Sequence, residues 1–205
     1  MVDPESIDRR DVLKGLGAAG VVSLAGCTGN GDGDGSSGGG QVIEWHAGGE
    51  TGTYFPLSNE FKTVVDEETE FSLQVQSTGA SVTNVGSLNE GEADFALIQN
   101  DIAFFAKNGE SLDAFEGDPV EDLRGVATLY PETIHIVTRS DSGIESLSDL
   151  EGRSVNTGDL GSGTQINALQ ILESVAGLTP GDFNEQNSGF GDASDQLQNG
   201  DVDAA

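Results

Sequence analysis

The sequence predicts an α/β fold, and three observations carry that expectation. Apolar runs of β-prone residues alternate with runs at helical spacing in the order βαβαβα, which favours a parallel sheet with right-handed crossovers. Four times an apolar run breaks into Gly, Ser, Thr, Asn or Gln and resumes as a helix. The breaks are Gly48–Tyr54, Gln76–Ser81, Gln99–Asp101 and Gly158–Thr164. Finally, two β-prone runs follow each other without a helix between Arg124 and Arg139, and this interrupts the alternation.

In order, Val42–Ala47 reads as a strand stopped by Gly48-Gly49. Leu57, Phe61, Val64 and Val65 recur at helical spacing. Phe71–Val75 alternates as a strand, and Val82, Val85 and Leu88 mark a short helix ended near Gly91. Asp94–Ile98 is the next strand, and Ile102, Phe105 and Ala106 the next helix. Gly125–Tyr130 and Thr133–Val137, split by Pro131-Glu132, read as two strands where the chain passes from one lobe to another. Ser146–Leu150 is a short helix and Arg153–Asn156 a strand. Ile166, Leu169, Leu172 and Val175 mark a helix that stops at Gly177, with Pro180 beyond. The end, Leu197–Ala205, repeats the pattern of Leu88–Ala96, a helix closing at Gly before a strand. The chain stops where that strand begins, so the second lobe reads as unfinished.

The 205 residues carry 36 acidic and 8 basic side chains, a formal charge of −28. Such self-repulsion argues against nucleic acid or an anionic membrane surface as a partner. Acid spread along the whole chain, with three lysines (Lys14, Lys62 and Lys107), fits a protein that works in high salt, where screening removes the repulsion. An ordinary acidic protein is the plainer alternative.

Residues 1–26 read as an export signal. Arg9-Arg10 gives a twin-arginine n-region, and Gly15–Ala25 is an apolar stretch too short to span a bilayer. Leu24-Ala25-Gly26-Cys27 closes it and resembles the lipobox of bacterial and archaeal lipoproteins. That resemblance makes Cys27, the one cysteine, a lipidation site and places the protein on the outer face of the cytoplasmic membrane. Residues 27–40, rich in Gly, Asp and Ser, form a flexible tether.

Six short segments in order resemble the TAXI family of solute receptors, the binding component of one kind of TRAP transporter. They are Gly52–Leu57, Gln76–Asn84, Gly91–Asp94, Gln99–Ala103, Leu129–Glu132 and Gly161–Thr164. Phe55 and Asn100 depart from residues also common in the family. The resemblance implies a type II periplasmic-binding-protein fold, with two lobes, a hinge and a ligand cleft. Lobe 1 would be 41–130 and lobe 2, incomplete here, 131–205. It also implies a small carboxylate solute, such as glutamate, and a TRAP membrane subunit as partner.

Helix N-termini present free N–H groups and a positive dipole end, so they can hold an anion without lysine or arginine. The candidate ligand-binding residues are Thr53, Tyr54, Ser77, Thr78, Gly79, Ser81, Gln99 and Asn100 from the first lobe, and Ser162, Gly163 and Thr164 from the second. Each hydroxyl has a plainer role as an N-cap. Tyr130 and Glu132 have one as hinge packing and a solvated charge. His46 and His135 read as strand residues, since no Cys, His or acidic cluster around them has metal spacing. No cofactor, metal or catalytic residue is expected. A binding protein of an ABC importer or sensor system keeps the fold with another partner. A secreted serine hydrolase is disfavoured, because the chain has no Gly-x-Ser-x-Gly elbow and only two histidines. A remnant of a disrupted gene is the remaining alternative.

Overall fold

The computed structural model describes residues 40–205. The export signal, Cys27 and nearly all of the tether lie outside the described residues. The elements run β1 (Val42–His46), α1 (Tyr54–Glu68), β2 (Ser72–Gln76), α2 (Ser81–Glu90), β3 (Phe95–Ala96), α3 (Asn100–Asn108), β4 (Ser154–Asn156), α4 (Gly163–Ile171), β5 (Asn184–Gln186) and α5 (Phe190–Asn199). A 3₁₀ turn, Leu147–Leu150, precedes β4, and a π-helical turn, Leu172–Ala176, continues α4.

Two parallel sheets result. The first has strand order β2-β1-β3, and the second pairs β4 with β5. In the first, His46 faces Gln76 on one side and Ala96 on the other, so all three strands end at one level. The loops after them therefore emerge side by side. The order reverses at β1, the kind of switch point where open α/β sheets place their crevice.

Trp45 fixes α1 on the first sheet. Its indole N–H donates to Ser58 Oγ at 2.8 Å, and its ring stacks on Phe95 and meets Phe61 edge-on. Pro56 falls in the first turn of α1, where a missing N–H breaks no helical bond. Helices α2, α3 and α5 stop at Gly91, Gly109 and Gly200, each in the left-handed conformation that glycine adopts without Cβ strain. Val85, Ile102, Ala106 and Phe115 form the core beneath α2 and α3. Leu150, Val155, Leu172, Leu178 and Phe183 form the core of the second sheet.

The two strands expected at 125–130 and 133–137 do not form. Among the described residues this segment meets a ladder partner only at its end. There Val137 exchanges both backbone bonds with Ala205, and Thr138 bridges Ala204. Without a partner, β-propensity alone makes no strand, and Val126 is 78% exposed. Conversely β5, polar Asn184-Glu185-Gln186, carries no apolar alternation and was not expected from sequence.

Candidate functional site

A cavity of about 690 Å³ opens where the strand-to-helix junctions of the two sheets face each other. Its walls include the starts of four helices: Thr53-Tyr54 (α1), Ala80-Ser81 (α2), Ser162-Gly163-Thr164 (α4) and Gly189-Phe190 (α5). Gln99, the residue before α3, and the segment Tyr130–Val137 complete the walls. No lysine or arginine is among these residues; the charged ones are Glu132 and Asp159, with His135 nearby.

Of the candidate residues, Thr53, Tyr54, Gly79, Ser81, Gln99, Ser162, Gly163 and Thr164 line this cavity. Ser77, Thr78 and Asn100 do not. Ser77 donates to Gly48 O at 3.1 Å, and Thr78 Oγ1 lies 2.7 Å from Asn84 Oδ1 and accepts from the Ala80 N–H at 3.1 Å. These two hydroxyls hold the junction together from behind. Asn100 is exposed on the outer side of α3. Of the candidates, Thr53 and Ser162 occupy N-cap positions, and Ser162 alone caps with its side chain; its Oγ accepts from the Gln165 N–H at 3.1 Å. Ser81 Oγ instead accepts from the Gln99 N–H at 3.1 Å and ties α2 to the β3–α3 loop.

Each sheet keeps its loops in place with a buried asparagine. Asn84 Nδ2 donates to Ala47 O at 2.6 Å and to Leu97 O at 2.8 Å, so one amide joins the ends of β1 and β3. Asn156 Nδ2 lies 2.8 Å from Gln196 Oε1, and its Oδ1 accepts from the Gly158 N–H at 2.9 Å. Behind the second wall, Glu185 Oε1 accepts from Thr157 at 2.6 Å and from Gln165 at 3.0 Å. Burial pushes the Glu185 carboxyl up, but the bonds from Thr157, Gln165 and Asn187 together hold it below its usual range. Ala80 has φ +65°, a strained conformation for a residue with a Cβ, at the lip of the cavity.

The centre of the site joins two of the candidates, Tyr54 and Gln99, to Tyr130 and Glu132 of the expected lobe crossing. Gln99 donates its Nε2 to Glu132, and Tyr130 donates its hydroxyl to the other oxygen of Glu132 at 3.2 Å. The rings of Tyr54 and Tyr130 meet edge-on, 6.3 Å apart. Gln99 Oε1 is buried with no partner among the described residues. Gly163 lies flat against this amide: a Cβ there would fall 1.6 Å from Gln99 Oε1.

Tyr54 and Tyr130 are the chain's two tyrosines, so phenolate absorbance reads this site alone. Burial first, and the Glu132 carboxylate second, push the Tyr130 phenol up to about 12. The same two causes push Tyr54 well above its ordinary value, against a hydrogen bond from Ser81 that lowers it. A raised folded pKa gives stability that is full below the unfolded value of about 10 and is lost as pH rises beyond it. Phenolate is expected to stay scarce at pH 10 in the folded protein and to appear, with loss of fold, between there and pH 12. Two phenols titrating at the free-tyrosine midpoint in a still-folded chain would contradict this environment.

The model of the NMT1-like family matches residues 46–205, which takes in every residue of the cavity and all of the described elements except β1 before His46. The chain belongs to the NMT1-like family. This member is also similar to solved structures. One is the alkanesulfonate-binding protein SsuA from Xanthomonas axonopodis pv. citri bound to MOPS, at 19% identity and TM-score 0.54, over 80% of this chain and 53% of that one. Another is a binding protein component of an ABC phosphonate transporter from Pseudomonas aeruginosa, at 15% identity and TM-score 0.56, over 81% of this chain and 56% of that one. At these identities the likeness is one of fold. The family member described here has the α/β fold of periplasmic solute-binding proteins, and it spans about half the length of those two.

Of the residues that sequence reading passed over, Ser188–Phe190 had the clearest signal. Asn187-Ser188-Gly189 is a fifth polar, glycine-bearing break before a helix, but the polar β5 ahead of it hid the pattern.

Proposed function

We propose that this chain is the solute-capturing part of an extracytoplasmic receptor of the TAXI type, which takes a small carboxylate such as glutamate and delivers it to a TRAP-type membrane subunit. The observation that carries the reading is the cavity itself: helix starts from two parallel sheets converge on one space of about 690 Å³ without a lysine or arginine. A carboxylate taken from water into such a space loses several kcal/mol unless most of its lone pairs meet donors. Free N–H groups and hydroxyls at the mouths of α1, α2, α4 and α5 are donors of that kind. Nothing in the cluster pairs a nucleophile with a base, so the reading involves no catalysis; closure of the two sheets' lobes (41–130 and 131–205) on the solute is the working step. The twin-arginine signal and Cys27 support export and lipid anchoring, with residues 27–40 as the tether.

Membership of the NMT1-like family and the six TAXI-like segments support this assignment. A binding protein of an ABC importer is the second reading, favoured by the likeness to the Pseudomonas aeruginosa phosphonate protein. Small carboxylates are expected to raise the melting temperature with rising concentration, by mass action. A panel of amino, mono- and dicarboxylic acids that leaves melting unchanged would sink the receptor reading. Co-purification with a membrane subunit separates the partners: a TRAP-type permease supports the first, an ATP-hydrolysing importer the second.

A further inference from the structure

The donors that sequence reading assigned to the solute's carboxylate are partly in use. Gln99 Nε2 and the Tyr130 hydroxyl both donate to Glu132. Tyr54 packs edge-on against Tyr130, and the nearby Glu132 carboxylate adds to burial in holding its phenol above the ordinary value. A second anion brought to these same groups would meet a fixed carboxylate with no cation among the lining residues to offset it. What this corner still offers is acceptors. A carboxylate has about four lone-pair positions, and the protein does not fill them all. Beside it, Gln99 Oε1 has no partner among the described residues, but it is turned away from the open space and lies against Gly163. Its amide orientation is chemically fixed, because turning it round would set oxygen against the Glu132 carboxylate. Two phenol rings inclined at 72° stand next to the carboxylate and present π-faces.

We propose that Glu132 and the rings of Tyr54 and Tyr130 form an ammonium subsite, and that Glu132 is the residue that makes the cleft select solutes carrying a protonated amine beside their anionic group. This rests on the receptor reading above and adds a charge requirement to it. An ammonium brings three donors and a positive charge. It fits the open lone pairs of an uncompensated carboxylate, while the solute's anionic group takes the N–H groups at the starts of α4 and α5. Asp159, the other carboxylate of the cavity, lies over that second wall, where a Cβ at Gly189 would be 3.2 Å from its Oδ2. It therefore adds to the penalty on solutes of net negative charge. His135 is the cavity's one other titratable group of basic type.

Three matched pairs of solutes test the proposal whichever anionic group the cleft prefers: β-alanine and propionate, taurine and ethanesulfonate, 2-aminoethylphosphonate and ethylphosphonate. Calorimetry on the full 205-residue chain, at one ionic strength, is expected to find the aminated member of any binding pair at least about tenfold tighter. Glu132→Gln keeps the shape and removes the charge, and is expected to shrink that ratio below about threefold. Plain anions that bind as tightly as their aminated partners would overturn the subsite and leave the receptor reading standing. Tighter binding of plain anions to Glu132→Gln, with the ratio unchanged, would overturn it too and would make Glu132 an internal occupant of the anion position. Silence from all six solutes would overturn the receptor reading and the subsite together. A second measurement needs no solute: Glu132→Gln is expected to lower the alkaline midpoint of Tyr130, and an unmoved midpoint in a folded variant would show that the carboxylate does not stand beside the ring.

Discussion

Asn84→Ala is expected to lower the unfolding free energy by about 3 kcal/mol, the largest single effect on stability foreseen for the described residues. The side chain is fully buried. Its Nδ2 serves Ala47 O and Leu97 O, 37 and 13 residues away, and its Oδ1 meets Thr78 Oγ1. Truncation strands Leu97 O, takes one of two donors from Ala47 O, whose other donor is the Thr78 hydroxyl at 3.2 Å, and leaves a cavity at a fully buried position. Each orphaned group costs about 1–3 kcal/mol, and the costs overlap because the groups are neighbours. Urea unfolding followed by the fluorescence of Trp45, the chain's one tryptophan, measures the loss directly. Asn84→Asp sharpens the point: it is isosteric but cannot donate when ionised, so it should cost at least as much at neutral pH and less once protonated. An unchanged urea midpoint for both variants would mean that the two carbonyls find water in solution.

Gly163→Ala is expected to weaken solute binding at least about tenfold while sparing the fold. A Cβ there would lie 1.6 Å from Gln99 Oε1 and 2.3 Å from Gln99 Cδ, distances no real contact tolerates. The Gln99 amide is the end of a flexible side chain, so it swings away and α4 stays put. Alanine in a helix is favoured over glycine by up to about 1 kcal/mol, which offsets the lost packing of the amide. Stability should therefore change by less than about 1 kcal/mol, while affinity for whichever solute binds falls at least about tenfold. Melting curves with and without solute check both halves. A variant that binds as well as the parent would show that Gln99 is not pinned between α4 and Glu132.

The helices and the level of the cavity were legible because both are local. Three- and four-residue spacing exposes α1 to α4, and Gly, Ser and Thr mark where a strand gives way to a helix. What stayed hidden depends on distant partners. Asn84 and Asn156 read as ordinary polar residues until strand ends 13 and 37 residues away meet the first amide and Gln196 of α5, 40 residues away, meets the second. Glu132 reads as a solvated charge after a proline until Gln99, 33 residues earlier, reaches it. The opposite error, two strands at 125–137, has the same origin: composition records willingness to pair, and pairing needs a second strand at the right place.

The two walls of the cavity are also joined directly. The Val82 N–H donates to Gly161 O at 3.3 Å, the Gly191 N–H to Thr51 Oγ1 at 3.1 Å, and Asn167 Nδ2 to Asp101 Oδ2 at 2.6 Å. Every one of these clasps lies within two or three residues of a helix start that lines the cavity or within the helix itself. Recognition and closure are thus written in the same few junctions. A substitution meant to change which solute is accepted will also move the balance between open and closed forms, and part of any measured affinity change will be that shift. For this architecture, drift toward a new solute is therefore easiest at positions such as His135, which lines the cavity without belonging to a clasp.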